Sequence, residues 1–313
     1  MSGPPSFSAM SLTKTHHSGT YPAISPTKPS LSQAGKTILI TGGASGIGFE
    51  IARSFVKASA SRIIILSRRT SALDIASEKL RDEFPSSGTE FLTRQADIGD
   101  DSSITSVWDS LNSQNILVHV LVLNGVHATP FGPDTLSMDK GELMKGFDVN
   151  VGGNFLMSSK FVKQPLRSTD QQLNLVNLST AGIQRHPAPS QNPYTTSKAA
   201  FAALLGRIAD ERSVEDVQII SFHPGLLCTE GTVSYFGQKL PRWDKMALPA
   251  DFAVWAASKE ASWLHGRFVW AHWDVDELRA DKAISTQLEQ EKGFLKVAVQ
   301  GLGGVSFDSY FNY

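Results

Sequence analysis

A three-layer α/β/α fold, with a doubly wound seven-stranded parallel sheet as its middle layer, is what this 313-residue sequence predicts. Two observations set the class. After residue 35 the chain alternates short apolar, β-branched runs with longer segments of helical period, and the first run passes through a glycine-rich turn straight into a helical segment. A third sets the size: 41% hydrophobic residues over this length supply core for one large domain.

Strands are read in order at Thr37–Ile40, Arg62–Leu66, Glu90–Thr93, Val118–Leu123, Leu173–Leu178, Val217–Phe222 and Arg267–Trp270. Helical period is read at Gly46–Lys57, Ser71–Phe84, Ile104–Ser113, Asp139–Lys163, Tyr194–Arg212 and Ala250–Ser258. A strand, crossover helix and next strand connect right-handedly, so this alternation predicts parallel strands with helices on both faces. Residues 1–34 carry eight Ser and five Pro without a hydrophobic period, which predicts a flexible tail; Thr20–Ile24 is its one stretch able to strap onto the domain. Residues 35–313 are read as a single domain, with no internal repeat.

Charge and cysteine content narrow the function. Lys and Arg number 29 against 30 Asp and Glu, so no basic face is available for nucleic acid or an anionic membrane. The longest apolar run, Ile116–Leu123, is far short of the ~20 residues that span a bilayer. A lone Cys228 rules out an internal disulfide and fits a reducing compartment, so a cytoplasmic protein is expected. His and carboxylate spacings match no metal site, and no metal is expected.

The turn Thr41-Gly42-Gly43-Ala44-Ser45-Gly46-Ile47-Gly48 lies between the first strand and first helix, at the carboxyl edge where open parallel sheets bind ligands. Gly42 suits the tight turn, Gly46 lets backbone approach a pyrophosphate, and Gly48 permits close helix packing; the free amides and helix dipole face the anion. The second strand ends Leu66-Ser67-Arg68-Arg69, where a dinucleotide lacking a 2′-phosphate is usually met by an acid. Two guanidiniums and a hydroxyl favour NADPH/NADP+ over NADH. Asp97, after the third strand and followed by Ile98, is placed either to accept from an adenine amino group or to cap the next helix.

Tyr194 and Lys198 stand at i and i+4, about 6 Å apart along one helix face. A second copy of the spacing, Tyr235 to Lys239, lacks the context of the first, which follows a strand ending Asn177-Leu178-Ser179-Thr180. A cation about 5 Å from a phenolate at an effective dielectric near 20 is worth ~3 kcal/mol, or about two pKa units, which would bring the phenol toward working pH.

On these motifs the sequence resembles the short-chain dehydrogenase/reductase family from about Lys36 to Trp270. Thr41 to Gly48 is similar to its TGxxxGxG, Tyr194 and Lys198 to its YxxxK, Asn150 to its helix asparagine, and Pro224, Gly225 and Thr229 to its PGxxxT. The resemblance implies a Rossmann fold and hydride transfer between a nicotinamide and a carbonyl or carbinol carbon. Tyr194 would donate or accept the proton, Lys198 would hold the nicotinamide ribose and lower the tyrosine pKa, and Asn150 would order a relay water. Asn124, Gly125, Ile98 and Leu227 join the cofactor-binding set. Where the family has a serine on the substrate oxygen this chain has Thr180, preceded by Ser179, and either hydroxyl is a candidate. The segment from Thr180 to Tyr194 is about one residue longer than the family spacing, and Leu123-Asn124-Gly125-Val126 stands where the family reads NNAG.

Residues 226–249, with Tyr235, Phe236, Leu240, Trp243 and Met246, are read as a lid over an apolar or ring-containing substrate; His127, Phe131, His186 and Met157 are candidates for the same cleft. The partner expected is therefore a hydrophobic small molecule. A homodimer or homotetramer is also expected, through the small and apolar residues of Asn150–Lys163 and Tyr194–Arg212, the family's dimer faces. The reading from another class is a redox-neutral cyclase or isomerase of this fold, or a non-catalytic dinucleotide sensor. The tail and lid resemble those of reductases in fungal secondary-metabolite pathways.

Overall fold

Seven strands form one all-parallel sheet: β1 (Thr37–Thr41), β2 (Arg62–Ser67), β3 (Glu90–Gln95), β4 (Val120–Leu123), β5 (Leu173–Leu178), β6 (Val217–His223) and β7 (Arg267–Trp270). Their order is β3-β2-β1-β4-β5-β6-β7, so strand order reverses between β1 and β4. The computed structural model describes residues 11–128, 134–185, 191–229, 232–233 and 243–299.

Period-2 alternation in the strands feeds two separate cores. Ile38, Ile40, Ile63, Ile65, Val122 and Phe222 face α1 (Gly46–Lys57), α2 (Thr70–Glu83) and, further along the chain, Ala247–Ala256. Leu39, Ile64, Leu121, Leu175 and Ile219 face α3 (Asp101–Ser113) and the later helices at Asn154–Val162 and Asn192–Glu211. Both faces are covered, as a parallel sheet requires.

Three expected element boundaries change. β4 begins at Val120 because the backbone of Val118 is satisfied by the Gln164 side-chain amide, at 2.8 and 2.9 Å, instead of by a neighbouring strand. The single helix expected over Asp139–Lys163 is α4 (Lys140–Phe147), a π turn at Asp148–Gly153, and α5 (Asn154–Val162). This widened turn lets α5 cross the sheet edge closely: a Cβ at Gly153 would lie 1.7 Å from the Ile98 carbonyl oxygen. Helix α6 runs Asn192–Glu211, starting two residues before Tyr194, since Pro193 is tolerated in a first turn.

Beyond α7 (Ala247–Ala256) the reading from sequence missed α8 (Val275–Ala280) and α9 (Lys282–Gln290). Their N-caps, Asp274 and Asp281, each accept two backbone N–H bonds and were a readable signal.

The tail reading is corrected from residue 11 onward. Ile24 and Leu31 are wholly buried, and the Tyr21 hydroxyl donates to the Trp273 carbonyl at 2.8 Å. Three apolar anchors spaced along a polar stretch were enough to seat it, with Pro22 and Pro29 starting short 3-10 turns. Among the described residues no helix is long and apolar enough to cross a membrane.

Candidate active site

The sheet switch point puts the end of β1 beside the end of β4, and the crevice between them is where this class of sheet binds nucleotides. Gly42 and Gly46 take φ of +63° and +53°, conformations that favour glycine. Ser45 is the N-cap of α1 and its hydroxyl makes no capping bond, while Gly46, Ile47 and Gly48 form the first turn. The amides of a helix start have no intrahelical partner and point at this crevice. Thr41 and Asn124 brace the turn from behind. Thr41 Oγ1 accepts from the Asn124 and Gly125 amides at 3.0 and 2.8 Å, and Asn124 Nδ2 donates to the carbonyls of Thr41 and Gly42 at 3.0 and 3.1 Å.

At the far end of the crevice, a cavity of about 380 Å³ is lined by Arg68, Gln95, Ala96, Asp97 and Ser103. Arg68 and Arg69 are exposed, and the Ser67 hydroxyl accepts from the Arg69 amide at 3.3 Å. Capping of α3 falls to Asp100, which accepts from the Ser102 amide; Asp97 instead accepts from Gly99 at 2.9 Å and borders the cavity. Ile98 packs against the second core beside it.

The catalytic candidates converge at the ends of β5 and α6. Lys198 is buried, and its Nζ donates to the Leu178 carbonyl at 2.7 Å. Burial alone pushes the Tyr194 phenol up to about 12 and Lys198 down to about 8. The expectation is that Lys198 draws the phenol toward neutrality; in the chain by itself burial moves the phenol the other way.

Thr180 caps the 3-10 turn Ala181–Gln184 by accepting from the Gly182 amide at 3.2 Å, which leaves its own O–H free to donate. Ser179 lies deeper, 3% exposed, with its Oγ lacking a protein partner. Asn150 sits in the π turn, wholly buried. Its Nδ2 donates to the His127 carbonyl at 3.0 Å and the Ser197 hydroxyl at 2.9 Å, and its Oδ1 accepts from the His127 amide at 2.8 Å. It therefore pins the turn after β4 to α6 one residue before Lys198. Sequence reasoning missed His127 and Ser197 as its partners, because nothing local marks them.

Leu123 pairs in register with Asn177, whose Nδ2 reaches Ser221 at 3.0 Å and whose Oδ1 has no partner. An orphaned oxygen is thus found opposite the position where leucine departs from the resembled motif.

After β6, Pro224 and Gly225 lead into Leu227, which is buried, and Thr229, whose methyl lies 4.0 Å from where a Cβ at Gly46 would stand. That puts the end of this loop against the phosphate turn. Trp243 and Met246 are partly buried. His127 is hydrogen-bonded through Nε2 to Glu142 on α4 at 2.9 Å, and Met157 belongs to the core and not to the cleft. Phe131, His186, Tyr235, Phe236, Lys239 and Leu240 lie outside the described residues.

A phosphate-binding helix start, a nucleotide-sized cavity beside it and a Tyr–Lys helix face at the same sheet edge define a dinucleotide-binding oxidoreductase site. The chain belongs to the short chain dehydrogenase family: that family's model matches residues 36–239. Among curated relatives it is 36% identical over 291 residues to short chain dehydrogenase/reductase nsrO of Aspergillus novofumigatus, covering 92% of this chain and 96% of that protein. It is 32% identical to AacuD of Aspergillus aculeatus, with 92% and 96% covered. Among solved structures, a short chain dehydrogenase/reductase family protein superposes with a TM-score of 0.65 at 27% identity, over 77% of this chain and 97% of that one. A Shigella flexneri short chain dehydrogenase, solved in complex with NADP, shares the fold with a TM-score of 0.69 at 19% identity, over 78% and 99%. The family binds a nicotinamide cofactor, and the residues described fit one. The open helix start of α1 would hold the pyrophosphate, the cavity at Arg68 and Asp97 the adenosine end, and Lys198 with the Gly225–Thr229 loop the nicotinamide end.

Proposed function

We propose that this chain is an NADPH-dependent reductase of a ketone or aldehyde group on a hydrophobic small molecule, or the matching alcohol dehydrogenase when run in reverse. The observation that carries the reading is that Tyr194 stands one helical turn before the buried Lys198, at the sheet edge where β5 ends. With its phenol pushed up to about 12, it keeps its proton at neutral pH and serves as an acid toward a substrate oxygen. When bound, the nicotinamide supplies the hydride that goes to the carbonyl carbon. Tyr194 gives its proton to the oxygen of the same bond, and Thr180, partly exposed with its O–H free, polarises that oxygen. Lys198, lowered to about 8, retains most of its charge at pH 7 and holds the ribose.

Selection of NADPH rests on Arg68 and Arg69, exposed beside the adenosine cavity where an acid would select NADH. Trp243 and Met246 support a hydrophobic substrate. The fungal source of the two curated relatives supports a place among fungal metabolic reductases. Exposed Phe155 on α5, 46% accessible, supports assembly as a homodimer or homotetramer through α5 and α6.

The test is a panel of hydrophobic ketones, aldehydes and alcohols with NADPH, NADH and their oxidised forms, followed at 340 nm. Turnover of at least one carbonyl with NADPH, and slower or none with NADH, is the expected result. NADPH binding without turnover of any redox pair, alongside conversion of a substrate with no change in absorbance, would favour a redox-neutral reaction.

A further inference from the structure

Behind the loop that follows β6 lies a cluster, buried at His272 and partly buried at Asp244, that the proposed chemistry does not use. Asp244 Oδ2 accepts from the Leu226 amide at 2.7 Å and is bonded to His272 Nε2 at 2.9 Å. The Asp244 amide in turn donates to the Leu226 carbonyl at 2.9 Å, so two residues 18 positions apart are tied by backbone and side chain together. Contact is tight, since a Cβ at Gly225 would stand 2.7 Å from Asp244 Oδ2. His272 is 3% exposed, and its Nδ1 is buried without a partner among the described residues. Nε2 therefore carries an N–H that faces the carboxylate.

The N-terminal segment crosses directly over this pair. The His16 ring stacks on that of His272 with centroids 4.5 Å apart and planes 16° from parallel. The His17 amide donates to the His272 carbonyl, and the Lys245 amide to the Ser18 carbonyl, both at 2.8 Å. Residues 16–18 thus bond the backbone at His272 itself and immediately after Asp244. A chain of contacts runs from the N-terminal segment through His272 and Asp244 to Leu226, and the loop continues to Thr229 beside the phosphate turn.

We propose that Asp244 and His272 are a positioning pair that fixes the Gly225–Thr229 loop in its cofactor-facing conformation, with residues 16–18 as the clamp that holds the pair. The proposal rests on the reading above that this loop meets the nicotinamide end of the cofactor. A loop backbone held by a partly buried carboxylate has its conformation set before the ligand arrives, so binding does not bear the cost of ordering it. Loss of the carboxylate leaves the Leu226 amide and the His272 N–H without partners, and the loop is free to leave the crevice.

The test compares Asp244→Ala, Asp244→Asn, His272→Gln and His16→Ala in the full-length protein. Two readouts are needed: amide exchange at residues 226–229 without cofactor, and the NADPH Kd beside kcat at saturating NADPH. Asp244→Ala is expected to speed exchange across 226–229 and to raise the Kd about 10- to 100-fold, while kcat changes less than about fivefold. Asp244→Asn keeps an acceptor for the Leu226 amide, and His272→Gln can keep a donor for Asp244; each is expected within about threefold of the wild-type Kd. His16→Ala, which removes the ring stacked on His272, is expected to speed exchange at 226–229 as well. A Kd within twofold of wild type in Asp244→Ala, or an Asp244→Asn variant as impaired as the alanine, would overturn the positioning role. Should the wild type bind no NADPH, the functional reading fails, whereas exchange alone decides the clamp: faster in Asp244→Ala and His16→Ala upholds it, unchanged overturns it.

Discussion

Two loops meet at the same edge of the sheet and are held in opposite ways. The turn from β1 to α1 takes its conformation largely from its own eight residues, with Gly42 and Gly46 in left-handed geometry and braces from the adjacent strand ends at Leu66, Asn124 and Gly125. The loop after β6 is tied locally at its far end, where Thr232 bonds Leu227 and Thr229, whereas its near end at Leu226 is held from a distance. It is shaped by Asp244, His272 and residues 16–18, the last more than 200 positions away in sequence. The first kind of support is all or nothing; the second is distributed and graded. Tyr194 shares the second kind, because the helix that carries it is held, through Ser197, by Asn150.

This contrast can be broken or sharpened by four variants. The largest effect is expected from Tyr194→Phe, which removes the proton donor and leaves ring packing intact. Turnover with NADPH should fall ~10²–10⁴-fold while the NADPH Kd stays near normal, measured by steady-state kinetics and fluorescence titration. Next comes Gly48→Ala in the locally held turn. Its Cβ would stand 2.4 Å from the Gly42 carbonyl oxygen, which is backbone and cannot step aside, so urea unfolding should show a loss of about 2–4 kcal/mol together with weakened NADPH binding.

Replacing Arg68 and Arg69 together with Ala should weaken NADPH by about 1–3 kcal/mol and hardly affect NADH, read from the two dissociation constants. Equal losses would show that these side chains do not read the 2′-phosphate. The smallest effect is expected from Lys198→Met. Because the folded state lowers this ammonium to about 8, the folded chain binds fewer protons than the unfolded one between pH 8 and 10.5, and wild-type stability climbs through that window. The Met variant should therefore be about 1–2 kcal/mol more stable than wild type at pH 7, with the advantage shrinking above pH 8, while losing activity. Thermal unfolding at pH 7 and pH 10 measures it.

What could be read from the sequence follows the same division. The seven strands, the phosphate turn and the Tyr194–Lys198 face were legible because each depends on residues within one turn or one strand of each other. The start of β4 was misplaced because a single side chain, Gln164, takes over the backbone of Val118 from 46 positions away. The helix over Asp139–Lys163 hid a π turn for a related reason: the periodic pattern continues, and only the approach of Ile98 to Gly153 demands the wider turn. Seating of the N-terminal segment depends on Tyr21, Ile24 and Leu31, three apolar residues in a polar stretch whose composition alone reads as unstructured. Lys198 illustrates an energetic version of the problem. Spacing gave its distance from Tyr194, but the burial that dominates both groups is a property of the assembled fold.

The pH dependence of carbonyl reduction by the wild-type protein, measured as kcat with saturating NADPH from pH 6 to pH 10, tests most directly whether Tyr194 acts as a protonated acid. With the phenol pushed up to about 12 and Lys198 lowered to about 8, the rate should be level from pH 6 to about 7.5 and decline as Lys198 loses its charge. A rate that instead climbs steadily between pH 7 and pH 10 would mean that the deprotonated phenol is the active form, and would contradict the account.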